Sequence, residues 1–345
     1  MGKYSRRDFL KMAAAGAGIV TLNAVLDACG QILPTTSPLS GSPTDSGEQL
    51  PAPSLSPLNP APDSTDTFPA PTDTPLTIPD MVVTRGGEPE LLVRQAVGAL
   101  GGMGKFVPSG ANVVIKPNIC VAYHTYEYAA TTNPWVVGTL VKMCLEAGAA
   151  SVKVMDFPFG GTQQKAYQES GIQEQVEAAG GEMVKMLAYR YVPTQIPSAK
   201  ILTSTSVYDD ILNADVLINA PIAKHHGEAR LTLGMKNLMG VIQNRGELHF
   251  NLGQCIADLN TLIKPQLTVI DAVRILTQGG PSGGNLADVI KMDTVIASAD
   301  VVAADSYATS LFGMKPEDLA YIVRGTQMGL GRSDLQNLNI QQIQL

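Results

Sequence analysis

Cysteine and histidine are both scarce in this chain, whose 345 residues include four of each. The cysteines are dispersed, and no two of them form a C-x-x-C pair. That arrangement excludes a disulfide framework and a structural zinc site. Cys144 and Cys255 lie in apolar, helical patterns and are predicted to be inert core residues, and core packing is also favoured for Cys120.

Common catalytic signatures are missing as well. The chain has no G-x-S-x-G elbow for a nucleophilic serine. Its glycine-rich loop, Gly279–Gly284, has the spacing of neither a P-loop nor a dinucleotide fingerprint. Two interpretations of this loop stay open: a flexible turn, and a nest of backbone N–H groups that binds an anion.

Basic residues are outnumbered by acidic ones, 24 to 31. Residues 1–28 carry four basic and two acidic residues, so the chain without them has 20 and 29, a net charge of −9. Such an acidic chain is a poor candidate for binding nucleic acid or an anionic membrane surface.

Residues 1–28 are predicted to be a twin-arginine lipoprotein signal peptide. The segment Ser5–Lys11 (SRRDFLK) closely matches a twin-arginine export signal, and a short apolar segment follows it. Leu26–Gly30 (LDACG) is similar to a lipoprotein cleavage box, with Cys29 as the lipidated first residue. An uncleaved N-terminal anchor is the alternative. Both interpretations place the rest of the chain on the outer face of the cytoplasmic membrane, in a periplasm or at the cell surface.

Residues 29–80 are predicted to be a disordered tether. From residue 31 to residue 80 the chain has 12 of its 23 prolines, 15 Ser or Thr and no Lys or Arg. A segment of this composition cannot bury an apolar core. The tether would hold the folded domain away from the membrane.

Strand and helix patterns alternate in residues 81–345, as one large domain or two lobes. The predicted strands are 112–115, 151–155, 183–187, 216–219, 267–270 and 294–297. The predicted helices are 134–147, 162–179, 231–241, 252–262, 300–311 and 316–327. This alternation predicts an α/β fold with a mostly parallel sheet and helices on both faces.

Polar side chains follow several of these strands: Lys116, Asn118, Asp156, Asn219 and Asp271. In open α/β sheets, ligands bind beyond the carboxyl ends of the strands. These residues are therefore candidates for one binding site, although strand ends also carry polar residues because they meet solvent.

Three of the four histidines lie between residues 219 and 251. Lys224 and His226 follow a strand there, and Lys236 and Asn237 lie in a predicted helix. Lys236 either extends to solvent or reaches into the site. His249 is a general acid or base, a metal ligand or a structural histidine. With Asp271, the histidines 226 and 249 could form a two-histidine, one-carboxylate metal site.

The same stretch resembles the family known as domain of unknown function 362. It contains N-x-P-x-x-K-x-H at 219–226 and L-x-x-x-M-K-N-L-x-G at 231–240, and Lys116-Pro117-Asn118 and Thr132-Asn133-Pro134 precede them. The resemblance covers roughly residues 81–330. It implies no defined activity, but it favours His226 over His225 and a site role for Lys236. Some members carry iron–sulfur ferredoxin modules, and this chain departs there.

The sequence leads to three functional hypotheses. The first is an exported, lipid-anchored enzyme acting on a small carboxylate or phosphate, with no cofactor assigned. His226 and His249 would be catalytic, and the substrate-binding residues would be Lys116, Asn118, Lys224, Lys236, Asn237 and Asp271. The second is a metal- or iron–sulfur-linked redox protein with a separate redox partner. The third is a surface lipoprotein that binds such a ligand without chemistry.

Overall fold

The computed structural model describes residues 78–345. Its strands are β1 (Met81–Arg85), β2 (Asn112–Pro117), β3 (Ser151–Val154), β4 (Glu182–Met183), β5 (Tyr191–Gln195), β6 (Ser204–Tyr208), β7 (Val216–Ala220), β8 (Ile222–His226), β9 (Arg230–Thr232), β10 (Leu267–Leu276), β11 (Val289–Ser298) and β12 (Ile340–Gln344). Its α-helices are α1 (Pro89–Ala99), α2 (Pro134–Glu146), α3 (Gln163–Glu169), α4 (Ile172–Ala178), α5 (Asp209–Asn213), α6 (Gly234–Asn237), α7 (Leu252–Leu262), α8 (Val301–Thr309) and α9 (Ala320–Gln327). The predicted signal peptide and almost all of the predicted tether lie outside the described residues.

One large sheet organises these elements. Its strands have the order β12-β1-β11-β10-β7-β2-β3-β4, and β8 and β9 attach beside β10. From β10 through β7, β2 and β3 to β4 every neighbouring pair is parallel. β11 is antiparallel to both of its neighbours, β1 and β10. The prediction of a mostly parallel α/β fold is therefore confirmed.

Helices cover both faces of the sheet, as alternate side chains of one strand show. Val113 of β2 lies in an apolar cluster that includes Leu140 of α2. Its neighbour Val114 lies in a second cluster, with Ile256 of α7 and Val302 of α8. Successive side chains of a strand point to opposite faces of the sheet. The two clusters are therefore two apolar cores, one on each face of the sheet. None of the helices within residues 78–345 is long and apolar enough to cross a membrane.

The helices predicted best are those with clear end signals. α2 begins at Pro134, with the Asn133 side chain accepting a hydrogen bond from the Trp135 amide, and α7 has the predicted bounds. The predicted helix 162–179 is instead two helices, α3 and α4. Gly171 separates them with a φ of 73°, a left-handed conformation that ends an α-helix.

The prediction of a helix over 231–241 is wrong in its first part. Residues 230–232 form β9, which pairs antiparallel with β8. Only Gly234–Asn237 is α-helical, and a 3-10 turn, Leu238–Val241, follows it. The first residues of the predicted helix, whose apolar spacing is helical, instead form the second strand of the β8–β9 hairpin.

β10 is also longer than predicted. It continues to Leu276, because its second half pairs with β11 as its first half does. Asp271 therefore lies in the middle of a strand and not at its end.

Candidate functional site

The carboxyl ends of β2, β3 and β8 open into a cavity of about 450 Å³. The chain leaves β7 at Ala220 and resumes as β8 after Pro221, which carries the next residues beyond the end of β2. Seven of the predicted site residues line the cavity: Lys116, Asn118, Lys224, His226, Lys236, Asn237 and His249. Residues as far apart in the sequence as Lys116 and His249 thus share one site.

Asn237 is the centre of a buried hydrogen-bond network behind this cavity. Its Oδ1 accepts from Lys116 Nζ at 2.8 Å and from Asn118 Nδ2 at 3.0 Å. Its Nδ2 donates to Asn219 Oδ1 at 2.8 Å and to the Lys116 carbonyl at 3.1 Å. Because both ends of the amide are occupied, Asn237 holds its neighbours in place and has little capacity left for a ligand.

Lys116 forms a buried ion pair with Asp156, Nζ to Oδ1 at 2.9 Å. The Asp156 carboxylate also accepts from the amides of Ile119 and Phe157, at 2.6 and 2.9 Å. Burial lowers the pKa of Lys116, and the attraction of Asp156 opposes that shift. The charge of Lys116 is therefore already compensated before any anion enters.

Lys224 is buried and has no carboxylate partner among residues 78–345. Its ammonium donates to Asn118 Oδ1 at 3.0 Å and to the carbonyls of Ala130 and Pro281, at 2.6 and 2.9 Å. These three acceptors use all three N–H groups of a lysine. Lys224 thus contributes positive charge to the cavity but no further donor. The glycine-rich loop takes part here through the Pro281 carbonyl.

Lys236 and Arg245 are the cavity cations with donors to spare. Within residues 78–345, the Lys236 ammonium has no hydrogen-bond or ion-pair partner. Burial, and next the charge of Lys224, lower the pKa of Lys236 to about 7. Arg245 donates to the carbonyls of Phe157 and Pro158, at 3.1 and 3.2 Å. Since a guanidinium has five N–H donors, Arg245 retains several for a ligand.

His226 is held neutral. Its Nδ1 accepts hydrogen bonds from the amides of Glu228 and Ala229, both at 3.2 Å, so the proton of the neutral ring lies on Nε2. Burial lowers the pKa of His226 to about 3, and Lys236 and Lys224 add to the shift. The geometry therefore suits His226 to donate a hydrogen bond, and it does not suit the proton-transfer role predicted for this residue.

His249 is placed differently, at the open side of the cavity. Its Nδ1 lies 2.5 Å from a carboxylate oxygen of Glu228, and both side chains are about half exposed. A carboxylate on Nδ1 fixes that proton and leaves Nε2 to exchange protons with a ligand. Of the two predicted catalytic histidines, His249 has the arrangement of a general acid or base.

Asp271 lies outside the cavity, contrary to its predicted place in the site. Its carboxylate accepts from the amides of Asn133 and Val273, at 2.6 and 2.9 Å, and it is buried inside β10. Burial raises the pKa of Asp271 to about 6. The structure therefore does not bring Asp271 to the two histidines. Residues 78–345 contain no group of three His, Cys, Asp or Glu side chains placed to hold a metal ion.

The site also contains residues that the sequence patterns did not single out. Arg245 and Glu228 lie within the stretch that carries the histidines, but neither belongs to a recognisable spacing. Gly240 is the last residue of the L-x-x-x-M-K-N-L-x-G pattern and faces the Lys116–Asp156 pair. Cys120 lines the cavity and donates from Sγ to the Pro281 carbonyl at 3.4 Å.

Comparison with known proteins gives one family. A sequence model described as "Domain of unknown function (DUF362)" matches residues 113–310. A thylakoid-associated protein of Synechocystis, sll1697, is 26% identical over 247 residues, which are 69% of this chain and 74% of that protein.

Two solved structures match parts of this chain at low identity. A Thermotoga maritima protein has a TM-score of 0.42 and 12% identity over 66% of this chain and 60% of its own. The lactate racemase apoprotein of Thermoanaerobacterium thermosaccharolyticum has a TM-score of 0.39 and 11% identity, over 62% of this chain and 53% of its own. This chain thus spans less than two thirds of either structure.

Proposed function

Because the chain belongs to the DUF362 family, whose description names no activity, we propose its function from the cavity itself: the protein is an enzyme that binds a small carboxylate or phosphate there. The observation that carries the proposal is the Lys236 ammonium, which lines the cavity without a partner among residues 78–345. A partly buried cation without a counter-charge is unfavourable, and an anionic ligand would supply that charge.

The charges around Lys236 strengthen this argument. Lys116 is neutralised by Asp156, but Lys224 and Arg245 form no salt bridge with a described residue. Three uncompensated cations thus surround one cavity in a chain that is acidic overall. Electrostatic focusing in such a cleft attracts small anions. Arg245 and Lys236 donate hydrogen bonds to the anion, and Lys224 adds positive charge without donating a hydrogen bond.

The histidines give the bound anion two different neighbours. His226 offers Nε2–H as a neutral donor to a ligand oxygen, while His249, oriented by Glu228, exchanges a proton at Nε2. A fixed donor together with a separate acid–base group is the composition of an enzyme site. A protein that only binds its ligand does not need a carboxylate-oriented histidine at the rim.

The first prediction concerns Lys236→Met and is measured by titration calorimetry with phosphate and a panel of dicarboxylates. We expect binding to weaken by about 1.5–3 kcal/mol, the scale of a charge-assisted hydrogen bond. Since the pKa of Lys236 is about 7 in the empty protein, anion affinity should fall as pH rises through that value. A bound anion keeps the ammonium protonated, so binding should take up protons above this pH.

The matched control is Lys264→Met, which removes an exposed lysine that follows the end of α7 and does not line the cavity. Its anion affinity and its pH profile should equal those of the parent. Equal weakening in both variants would show a general charge effect and contradict the proposal. A Lys236→Met protein that is much less stable than the parent, yet binds anions unchanged, would make Lys236 structural.

We also propose that the enzyme is exported and held at a membrane by lipid on Cys29. Support comes from the twin-arginine and cleavage-box patterns of residues 1–30. The name of the Synechocystis relative, thylakoid-associated, agrees with a membrane location.

A further inference from the structure

The amine of Lys236 stands on a rigid support. The helix α6 that carries it begins where the Asp305 carboxylate accepts from the amides of Gly234 and Met235, at 2.6 and 2.8 Å. The residue after Lys236 is Asn237, whose side chain is fully engaged in the buried network. The side chain of Lys236 therefore enters the cavity from a backbone that is fixed on both sides.

This placement gives the amine the properties of a nucleophile. Lys236 lacks a hydrogen-bond acceptor among residues 78–345 that would keep it protonated. Burial and the charges of Lys224, Lys116 and Arg245 lower its pKa to about 7, although Cys120 has an opposing effect. Near neutral pH a large share of the side chain is then a free amine, and lysines beside other cations are the ones that attack carbonyl groups.

Resting on the anion-binding function above, we propose that Lys236 forms an imine with the carbonyl carbon of a bound 2-oxo acid or anionic aldehyde. Arg245 takes the carboxylate of such a ligand through its remaining N–H donors. His226 lines the cavity with Nδ1 occupied by two backbone amides, so Nε2–H is the ring donor left to polarise the carbonyl oxygen without losing its own proton. Lys236, Arg245 and His226 thus match the carbonyl carbon, the carboxylate and the carbonyl oxygen of such a ligand, respectively.

The chemical step is balanced without any redox partner. The ammonium first gives a proton to solvent, and Nζ then adds to the carbonyl carbon. The oxygen of the resulting carbinolamine takes one proton from the nitrogen and a second from solvent or from His249, and leaves as water. The product is a protonated imine, so an ammonium and a carbonyl compound have become an iminium ion and water.

The test is reductive trapping of the full chain with pyruvate or 2-oxoglutarate and cyanoborohydride, followed by peptide mass mapping. We expect an adduct on Lys236 in preference to exposed lysines such as Lys264, and its loss in Lys236→Arg but not in Lys264→Arg. Phosphate should compete with trapping, since it occupies the same cations. Lactate, which has no ketone or aldehyde carbonyl, should leave no adduct.

The pH profiles separate the imine from simple ion pairing. Imine formation needs the free amine, and a bound anion raises the pKa of Lys236 above its value of about 7 in the empty protein. Trapping by saturating ligand should therefore increase as pH rises above about 7, whereas phosphate affinity decreases as pH rises through that value. Anion binding with no Lys236 adduct at any pH, or adducts spread evenly over surface lysines, would overturn the imine alone. Absence of anion binding would overturn the proposed function as well. If Lys236→Arg fails to fold, the pH profiles of trapping and of phosphate affinity in the unsubstituted protein still decide the question.

Discussion

Gly240 illustrates how closely single residues are fitted around the Lys116–Asp156 pair. A Cβ at this position would stand 2.6 Å from Lys116 Nζ and would overlap Asp156 Oδ1. The backbone can pass so near the ion pair only because glycine has no side chain. Neither charged residue can move away, since Asp156 also holds the amides of Ile119 and Phe157.

Gly240→Ala should therefore destabilise the protein by about 2–4 kcal/mol, through overpacking and a disrupted buried pair. Urea unfolding followed by circular dichroism measures the change. Gly98→Ala is the matched control, because an added Cβ there has no neighbour within 4 Å. That exposed helical position should gain up to about 1 kcal/mol from the better helix former. Similar stability changes in the two variants would contradict the close fit at Gly240.

At the same scale, the sequence predicted which residues would meet but not what each would do. Lys116 lies near the end of β2 and Asp156 follows the neighbouring parallel strand β3, so their approach could be predicted from strand order. The neutral state of His226 could not, because it depends on two backbone amides of the β8–β9 turn. Asp271 was misplaced since nothing in its local pattern reveals that β10 continues beyond it.

At the scale of elements, α6 shows why a local pattern can mislead. The apolar residues at 231–241 have helical spacing, yet only Gly234–Asn237 is α-helical. The start of that helix is fixed by Asp305, 71 residues away, which no periodicity can reveal. In contrast, α2 and α7 are specified by their own ends: Asn133 caps the first, and Asn251 accepts from the Gln254 amide in the second.

Asp305→Ala tests whether this contact positions the site. The change would leave the amides of Gly234 and Met235 buried without acceptors, at a cost of about 2–4 kcal/mol in the free energy of unfolding. Because α6 carries Lys236, phosphate binding should also weaken by about tenfold, measured by calorimetry below the unfolding transition.

Thr162→Ala provides the comparison for that variant. It removes the side-chain cap of α3, a hydrogen bond of 3.3 Å to the Lys165 amide on an exposed helix. Stability should fall by about 1 kcal/mol with phosphate affinity unchanged. If Asp305→Ala lost stability but bound phosphate like Thr162→Ala, the link between α6 and the site would be refuted.

At the scale of the whole molecule, the net charge of the chain is negative, whereas the charge collected in the binding site is positive. The chain beyond residue 28 has a net charge of −9, whereas the cavity collects three uncompensated cations. An acidic surface is repelled by anionic lipid, so general electrostatics would not retain this protein at a membrane. The membrane location proposed above would therefore need an anchor, and Cys29 is the residue with the sequence context for one.

The final prediction follows from that need. Mature protein from an export-competent host should have an N-terminal peptide that begins at Cys29 and bears lipid, visible by mass spectrometry. Two or more acyl chains give stable anchoring, so the protein should remain in the membrane fraction after a high-salt wash. Cys29→Ser, placed behind a signal that ordinary signal peptidase removes, should be released, because an acidic domain is not held at anionic lipid by electrostatic attraction. The control is Cys120→Ser with the native signal peptide. It also removes one thiol, and the protein should remain in the membrane fraction. Retention of the processed Cys29→Ser protein, or an unmodified Cys29 peptide, would refute the lipid anchor.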